Sequence, residues 1–349
     1  MVLRSKMKKL IVLLTCLCIL TACKGSEENI VHVYNWGEYM SDEAIKLFEK
    51  ETGYKVIYET YASNEDLYVK LSSSTEAYDV VVPSDYLIER CIKEDLVQKI
   101  NKEAIPNFQG IFDSLKNPSY DPESQYSVPY FWGTLGVVYN GKNIKEKLDS
   151  WDCLWDEKYK GKILMYDSQR DSLAIALKRL GFSMNSKKIQ ELVQAKDSLI
   201  QQKPLVYAYL ADESRDVMVQ GDADLCAMYS GDAVLMMEEN KDLRYFVPKE
   251  GSNLFMDSFM IPKNARNPKG AEAFINFMCR PDIARLNVDE VQGYSTPIKA
   301  TYEGLPKDIK NNPVAYPDLS KLPPLEVYQD SSDINDLYYD LWTEVQAAS

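Results

Sequence analysis

Aromatic and hydroxyl residues recur beside carboxylates along this chain, and each grouping is suited to the same chemistry. Tyr34-Asn35-Trp36-Gly37-Glu38-Tyr39 sets an indole and two phenols around an acid. Ser84-Asp85-Tyr86, Asp167 with Asp171, Tyr229-Ser230-Gly231-Asp232 and Phe255-Met256-Asp257 repeat the theme. A ring face attracts an ammonium group by about 0.5–2 kcal/mol. A carboxylate pairs with it and accepts its hydrogen bonds. Methylene groups between two charges would lie along the rings, so these residues suit a slender, multiply charged cation with apolar spacers. Singly, each has a plainer reading. With 24 tyrosines in the chain, any one of them is more often filler than contact, Gly37-Glu38 also reads as a turn, and Asp257 also reads as a cap or a lysine partner. Repetition carries the argument.

Catalysis finds no foothold. The chain has no GxSxG elbow, no HExxH and no GxxxxGK[ST] phosphate loop. Its single histidine, His32, falls in an expected strand with no nucleophile nearby. Paired carboxylates of the glycosidase kind are always available among 53 acidic residues, but nothing singles out a pair. Of seven cysteines, Cys16, Cys18 and Cys23 are N-terminal, and Cys91, Cys153, Cys226 and Cys279 are scattered without a CxxC pair. No zinc or other metal site is expected, nor any cofactor. Buried free thiols and disulfides both remain open for these four.

The N-terminus reads as an address. Arg4, Lys6, Lys8 and Lys9 precede an apolar run, Leu10 to Leu20, too short for a comfortable membrane span. Leu20-Thr21-Ala22-Cys23 ends it, small residues before a cysteine, as a lipoprotein signal peptidase requires. The reading is a leader over 1–22, lipid on Cys23, and a polar tether over 23–29. The protein is then extracytoplasmic, anchored to the membrane and not spanning it. Without the four leader cations, 36 Lys and Arg face 53 Asp and Glu, a net charge of −17. That balance disfavours nucleic acid and anionic lipid surfaces as partners.

Elements that position these residues follow from periodicity. Val31 to Tyr34, Val56 to Tyr58 and Val80 to Val82 read as strands. Between them lie a helix capped by Ser41 and stopped by Gly53, and another capped by Asn64. This is the α/β pattern of a mostly parallel sheet. A second sheet is expected from Gly136 to Tyr139, Lys162 to Met165, Leu205 to Tyr209 and Leu225 to Met228, the last leading into a Gly231-Asp232 turn. Helices are expected over 171–180 and 186–202. Ser258 to Ile261 reads as a strand returning to the first domain, followed by a helix with Ala271, Phe274, Ile275 and Met278 on one face. About 320 residues after the leader exceed one compact core. The absence of a flexible linker implies two lobes joined by crossing strands around a cleft. The acid–aromatic groups fall at strand ends, where open α/β sheets face their crevice.

The stretches Tyr34 to Tyr39, Thr52 to Tyr58, Tyr78 to Ser84, Ser127 to Gly133, Trp151 to Trp155, Tyr159 to Gly161, Met256 to Ser258 and Gly293 to Pro297 resemble, in order, the spermidine/putrescine-binding proteins of bacterial polyamine ABC transporters. The resemblance covers nearly the whole mature chain. It implies a type II periplasmic-binding-protein fold with lobe 1 over 30–134 plus 258–303 and lobe 2 over 135–257 plus 304–349. It implies a putrescine or spermidine ligand, and an ABC permease and ATPase as partners. By position it implies ligand contacts from Trp36, Tyr39, Ser84 and Tyr86, then Asp171, Tyr229, Asp232, Phe255 and Asp257, and finally Tyr294 and Gln329. Departures bear on chain length: Ser168 stands where the spermidine binder has a second carboxylate, while Asp232 resembles a carboxylate of putrescine-preferring relatives. Tyr229 and Phe255 replace tryptophans. Rival readings are a binding lipoprotein of the same fold for another small cation, and a surface lipoprotein outside transport. An anion site would need arginines and helix N-termini in place of these acids.

Overall fold

The computed structural model describes residues 29–73, 76–211 and 213–348. The expected leader, Cys23 and the tether as far as residue 28 lie outside them. Among the described residues no helix is long and apolar enough to cross a membrane.

The N-terminal part alternates strand and helix as its periodicity predicts: β1 (Ile30–Trp36), α1 (Asp42–Thr52), β2 (Lys55–Tyr61), α2 (Asn64–Ser73), β3 (Val80–Val81) and α3 (Asp85–Lys93). The three strands form a parallel sheet in the order β2-β1-β3. The Ser41 hydroxyl accepts from the Glu43 N–H at 3.2 Å to start α1, and Gly53, at φ +78°, ends it. The start of α2 differs from expectation. Ser63 takes the cap, accepting from the Asp66 N–H at 3.1 Å. Asn64 enters the helix buried, and its side chain accepts the Ser84 N–H at 3.2 Å instead. Two cap formers stand side by side, and the buried one is taken by a tertiary partner.

After this sheet comes β4 (Val128–Asn140), then β5 (Ile163–Tyr166), α4 (Gln169–Arg179), α5 (Ile189–Gln202) and β6 (Val206–Leu210). Next are α6 (Ser214–Gln220), β7 (Leu225–Tyr229), α7 (Ser230–Glu239), β8 (Leu243–Phe246) and β9 (Ser252–Phe259). The chain closes with α8 (Pro268–Met278), α9 (Pro281–Val291), the short α10 (Lys299–Glu303) and α11 (Lys307–Lys310), β10 (Leu325–Glu326) and α12 (Asn335–Ala347). The second sheet runs β10-β9-β4-β7-β5-β6, and β8 also pairs with β4. Two expectations are corrected. Gly231 and Asp232 lie not in a turn but in the first turn of α7, because β7 passes straight into that helix. The expected strand from Ser258 begins earlier, at Ser252, and runs antiparallel along β4.

Strand β4 joins the two bodies. Its start, Val128, Tyr130, Phe131 and Trp132, packs in a core with Val31, Val33, Phe48, Phe274 and Ile283. Leu135 and Val137, further along the strand, pack in another with Trp151, Ile163, Leu173, Leu199 and Tyr338. The opposite face of the first sheet is covered by Leu67, Leu87, Ile88 and Met260, as a buried parallel sheet requires. Leu305 packs in the first core, Val314 and Ala315 in a smaller one, and α12 in the second. Cys91, Cys153, Cys226 and Cys279 are all free and buried.

Asp79, fully buried, ties the first sheet together. Its Oδ2 accepts the His32 N–H at 2.9 Å and its Oδ1 the Asn267 N–H at 2.7 Å, linking β1 to the start of α8. Asp79→Ala strands two donors, and denaturant unfolding should show a loss of about 3 kcal/mol. A loss under about 1 kcal/mol would contradict this role.

Candidate ligand-binding site

Strand alternation aims the first acid. Phe255 and Asp257 lie two apart on one face of β9, opposite Gly133 and Phe131 of β4. A Cβ on Gly133 would sit 2.6 Å from the Phe255 ring and 2.5 Å from the Ser230 hydroxyl, so only glycine lets this ring cross the strand. Asp257 is buried, and its backbone bridges Ser84 at the start of α3. The Tyr39 hydroxyl donates to its Oδ2 at 2.6 Å. The Ser84 hydroxyl is near enough to draw its pKa down, yet Oδ1 has no partner in hydrogen-bond geometry among the described residues. Burial outweighs both hydroxyls and pushes the Asp257 carboxyl up to about 6.

Two further acids come from helix starts, where a carboxylate is favoured. Asp171 lies in the first turn of α4. Its Oδ1 accepts from the Tyr229 hydroxyl at 2.6 Å and the Tyr328 hydroxyl at 3.1 Å. Ser168, the position expected to lack a carboxylate, caps that helix by accepting the Asp171 N–H at 3.2 Å. Asp232 lies in the first turn of α7, where the Arg215 guanidinium reaches Oδ1 at 2.6 Å and the Tyr294 hydroxyl donates to Oδ2 at 3.0 Å. Burial, reinforced by the neighbouring acid in each case, holds the phenols of Tyr39, Tyr229 and Tyr294 well above their ordinary pKa. All three stay protonated and donate.

Aromatic rings weld the acids into one cluster. Tyr39 meets Tyr294 edge-on at 5.3 Å, Tyr294 meets Phe255 at 6.0 Å, and Phe255 meets Tyr229 at 5.1 Å. These are favourable edge-to-face contacts. Gly231 makes room for Tyr294, whose ring would lie 2.5 Å from a Cβ there. The half-buried Trp36 ring packs on Tyr61 at 4.7 Å, and both donate to the Val82 carbonyl, at 2.9 and 2.6 Å. Tyr86 is half-buried and donates to Glu65 at 3.3 Å. Tyr39, Ser84, Asp171, Tyr229, Asp232, Phe255, Asp257 and Tyr294 thus converge, with Tyr86 at their edge, while Trp36 is held by Tyr61 and Val82. Gln329 does not join them through its side chain, which is exposed; its backbone N–H donates to Asn185. Gly37 and Glu38 form an exposed turn.

Sequence reasoning left four residues of this cluster out of the ligand contacts. Tyr328 reaches Asp171 from the residue before Gln329, and the Arg170 guanidinium stacks 4.4 Å from its ring centroid. Arg215 pairs with Asp232. Asp85 is buried beneath Tyr86, accepting the Tyr86 N–H at 2.7 Å and the Tyr328 N–H at 3.3 Å. Burial, with the Asp257 charge adding to it, pushes Asp85 up to about 8. Its place in Ser84-Asp85-Tyr86 was a usable signal; a pairing across the fold, such as that of Arg215, leaves none in sequence. A small cavity lined by Tyr130, Phe131, Phe259, Met278 and Cys279 lies inside the first core, apart from these acids.

The cluster can hold cations: buried acids, one with an oxygen uncommitted, among ring faces. Comparison with known proteins agrees in kind. Residues 43–317 match the family model described as bacterial extracellular solute-binding protein. The chain is 36% identical over 330 residues to the spermidine/putrescine-binding periplasmic protein of Salmonella typhimurium, covering 94% of each. Among solved structures it is similar to the spermidine/putrescine ABC transporter substrate-binding protein PotD from Streptococcus pneumoniae. There the TM-score is 0.81 and the identity 39%, over 91% of this chain and 98% of that one. It is also similar to the TpPotD lipoprotein of Treponema pallidum, with TM-score 0.80 and 29% identity, over 90% and 99%. The fold is the two-lobed type II periplasmic-binding-protein fold.

The raised acids set a pH dependence. A folded state that holds a carboxyl proton more tightly than the unfolded chain loses stability as pH rises from the unfolded value through the folded one. For Asp85 that window runs from 3.8 to about 8. Asp85→Asn removes the titration, so its stability should gain on the parent by roughly 1.4 kcal/mol per pH unit between pH 5 and 8. Parallel stability–pH curves for the two proteins would contradict the burial argument.

Proposed function

We propose, from the premise that the chain belongs to the bacterial extracellular solute-binding protein family, that it captures a polyamine, putrescine or spermidine, outside the cytoplasm for import by an ABC transporter. Members of that family hold solutes and do not transform them. The observation that carries the ligand class is Asp257: a buried carboxylate with one oxygen held by Tyr39 and the other uncommitted, inside a packed aromatic cluster. An ammonium group supplies both the charge and the hydrogen bonds that this oxygen lacks. Names of the relatives support the same ligand, and their high coverage in both directions supports the same overall role.

In this reading Asp257 and Asp171 receive the ammonium ends. The rings of Trp36, Tyr39, Tyr229, Phe255 and Tyr294 enclose the methylene chain, while Ser84 and Tyr86 border it. The lobes, over 30–134 plus 258–303 and 135–257 plus 304–349, close about β4 and β9, and the closed form is the one that a permease with its ATPase engages. Lipid on Cys23 anchors the protein to the membrane, a reading supported by the lipoprotein relative. A different small organic cation is the second reading favoured by the same uncommitted oxygen.

Two measurements test this. Isothermal titration should show Asp257→Asn weakening polyamine binding by about 2–5 kcal/mol. Trp36→Ala should weaken it too while leaving the fold intact. Unaltered affinity in both variants would place the site elsewhere. In the parent protein the ammonium requires ionised Asp257, so affinity should fall by up to about tenfold per pH unit below about 6. A flat profile from pH 7 to 5 would contradict the pairing.

A further inference from the structure

The three acids at the cluster are not equivalent. Each is held by a tyrosine hydroxyl, Asp257 by Tyr39, Asp171 by Tyr229 and Asp232 by Tyr294, and those rings pack together through Phe255. Among the described residues Asp257 keeps Oδ1 without a partner, and both hydroxyls that reach Asp171 use its Oδ1. Asp232 has neither oxygen to spare. Tyr294 takes Oδ2, and the Arg215 guanidinium takes Oδ1 at 2.6 Å, with the Asp232 side chain only 9% exposed.

We propose that Arg215 sets the chain-length preference of the site, by holding Asp232 as an internally neutralised pole so that the cleft offers a ligand two anionic poles in place of three. The proposal rests on the polyamine reading above. A diamine needs only Asp257 and Asp171. A longer polyamine brings a further ammonium, and in the region of Asp232 it meets a carboxylate already paired and a guanidinium of its own sign. Like-charge juxtaposition is a common means of excluding a near-identical ligand. Arg215 pairs with Asp232, so it acts on selectivity through that acid.

The test is isothermal titration of putrescine and spermidine into the parent protein, Arg215→Gln, Arg215→Lys and Asp232→Asn. Arg215→Gln should shift the affinity ratio toward spermidine by about tenfold or more, because it frees an acceptor and removes a repelling charge. Arg215→Lys, which restores the charge, should return the ratio toward that of the parent. In an Asp232→Asn background the Arg215→Gln shift should shrink, since its carboxylate is gone. If Arg215→Gln does not fold, Asp232→Asn alone decides: it removes the carboxylate that balances the guanidinium at this pole and must weaken spermidine more than putrescine. Equal weakening of both ligands, in either variant, overturns the proposal and makes the ion pair a merely structural brace. Binding of neither polyamine by the parent overturns the polyamine reading, and the proposal with it.

Discussion

A carboxylate removed from water must recover its hydration from hydrogen bonds or a counter-charge, or else take up a proton, and this requirement organises the region between the two lobes. Asp257 recovers half of it from the Tyr39 hydroxyl. Its other oxygen goes without a partner among the described residues, and burial raises its pKa to about 6. The cost of such a group is several kcal/mol when it stays ionised and unpaired. A structure that keeps it there, fixed by a phenol whose own pKa is driven up, is one step short of a complete site. In the proposed reading, the part that completes it is a cation with hydrogens to donate.

The rest of the fold supplies the rigidity that this requires. Strand β4 runs through both bodies and pairs with β9, so Phe255 and Asp257 are fixed by an antiparallel ladder and not by a loop. Asp171 and Asp232 sit in first helical turns, where backbone N–H groups favour their charge. Gly133 and Gly231 admit rings where any side chain would collide. Near Tyr328 the C-terminal segment spans both bodies: its backbone reaches Asp85 of α3 while its hydroxyl reaches Asp171 of α4. Site and junction are therefore one structure, and a ligand bound there touches what joins the lobes.

Much of this was legible in the sequence because it is local. Ser41 and Gly53 bound a helix through cap geometry alone, and Ala271, Phe274, Ile275 and Met278 share a face by the period of the helix. Acids beside aromatics at strand ends pointed to the cluster for the same reason. Choices made by tertiary contacts were not legible. Asn64 lost the cap to Ser63 because the fold gave its side chain to Ser84, and Gly231 serves the Tyr294 ring where a turn was expected. Arg215 and Asp232 are 17 residues apart, with nothing in either segment to announce the pair. At the C-terminus, extended backbone alternates its side chains, and Gln329 faces out where Tyr328 faces in.

The central claim is that Asp257 is an incompletely paired carboxylate that a bound ammonium completes. It is tested most directly by following the Asp257 side-chain carboxyl by carbon NMR through a pH titration, without ligand and with saturating putrescine. The ligand-free protein should titrate near 6, and the bound protein at or below the range of an exposed aspartate. An Asp257 titration left in place by saturating ligand would contradict the account, since no ammonium could then be paired with that oxygen.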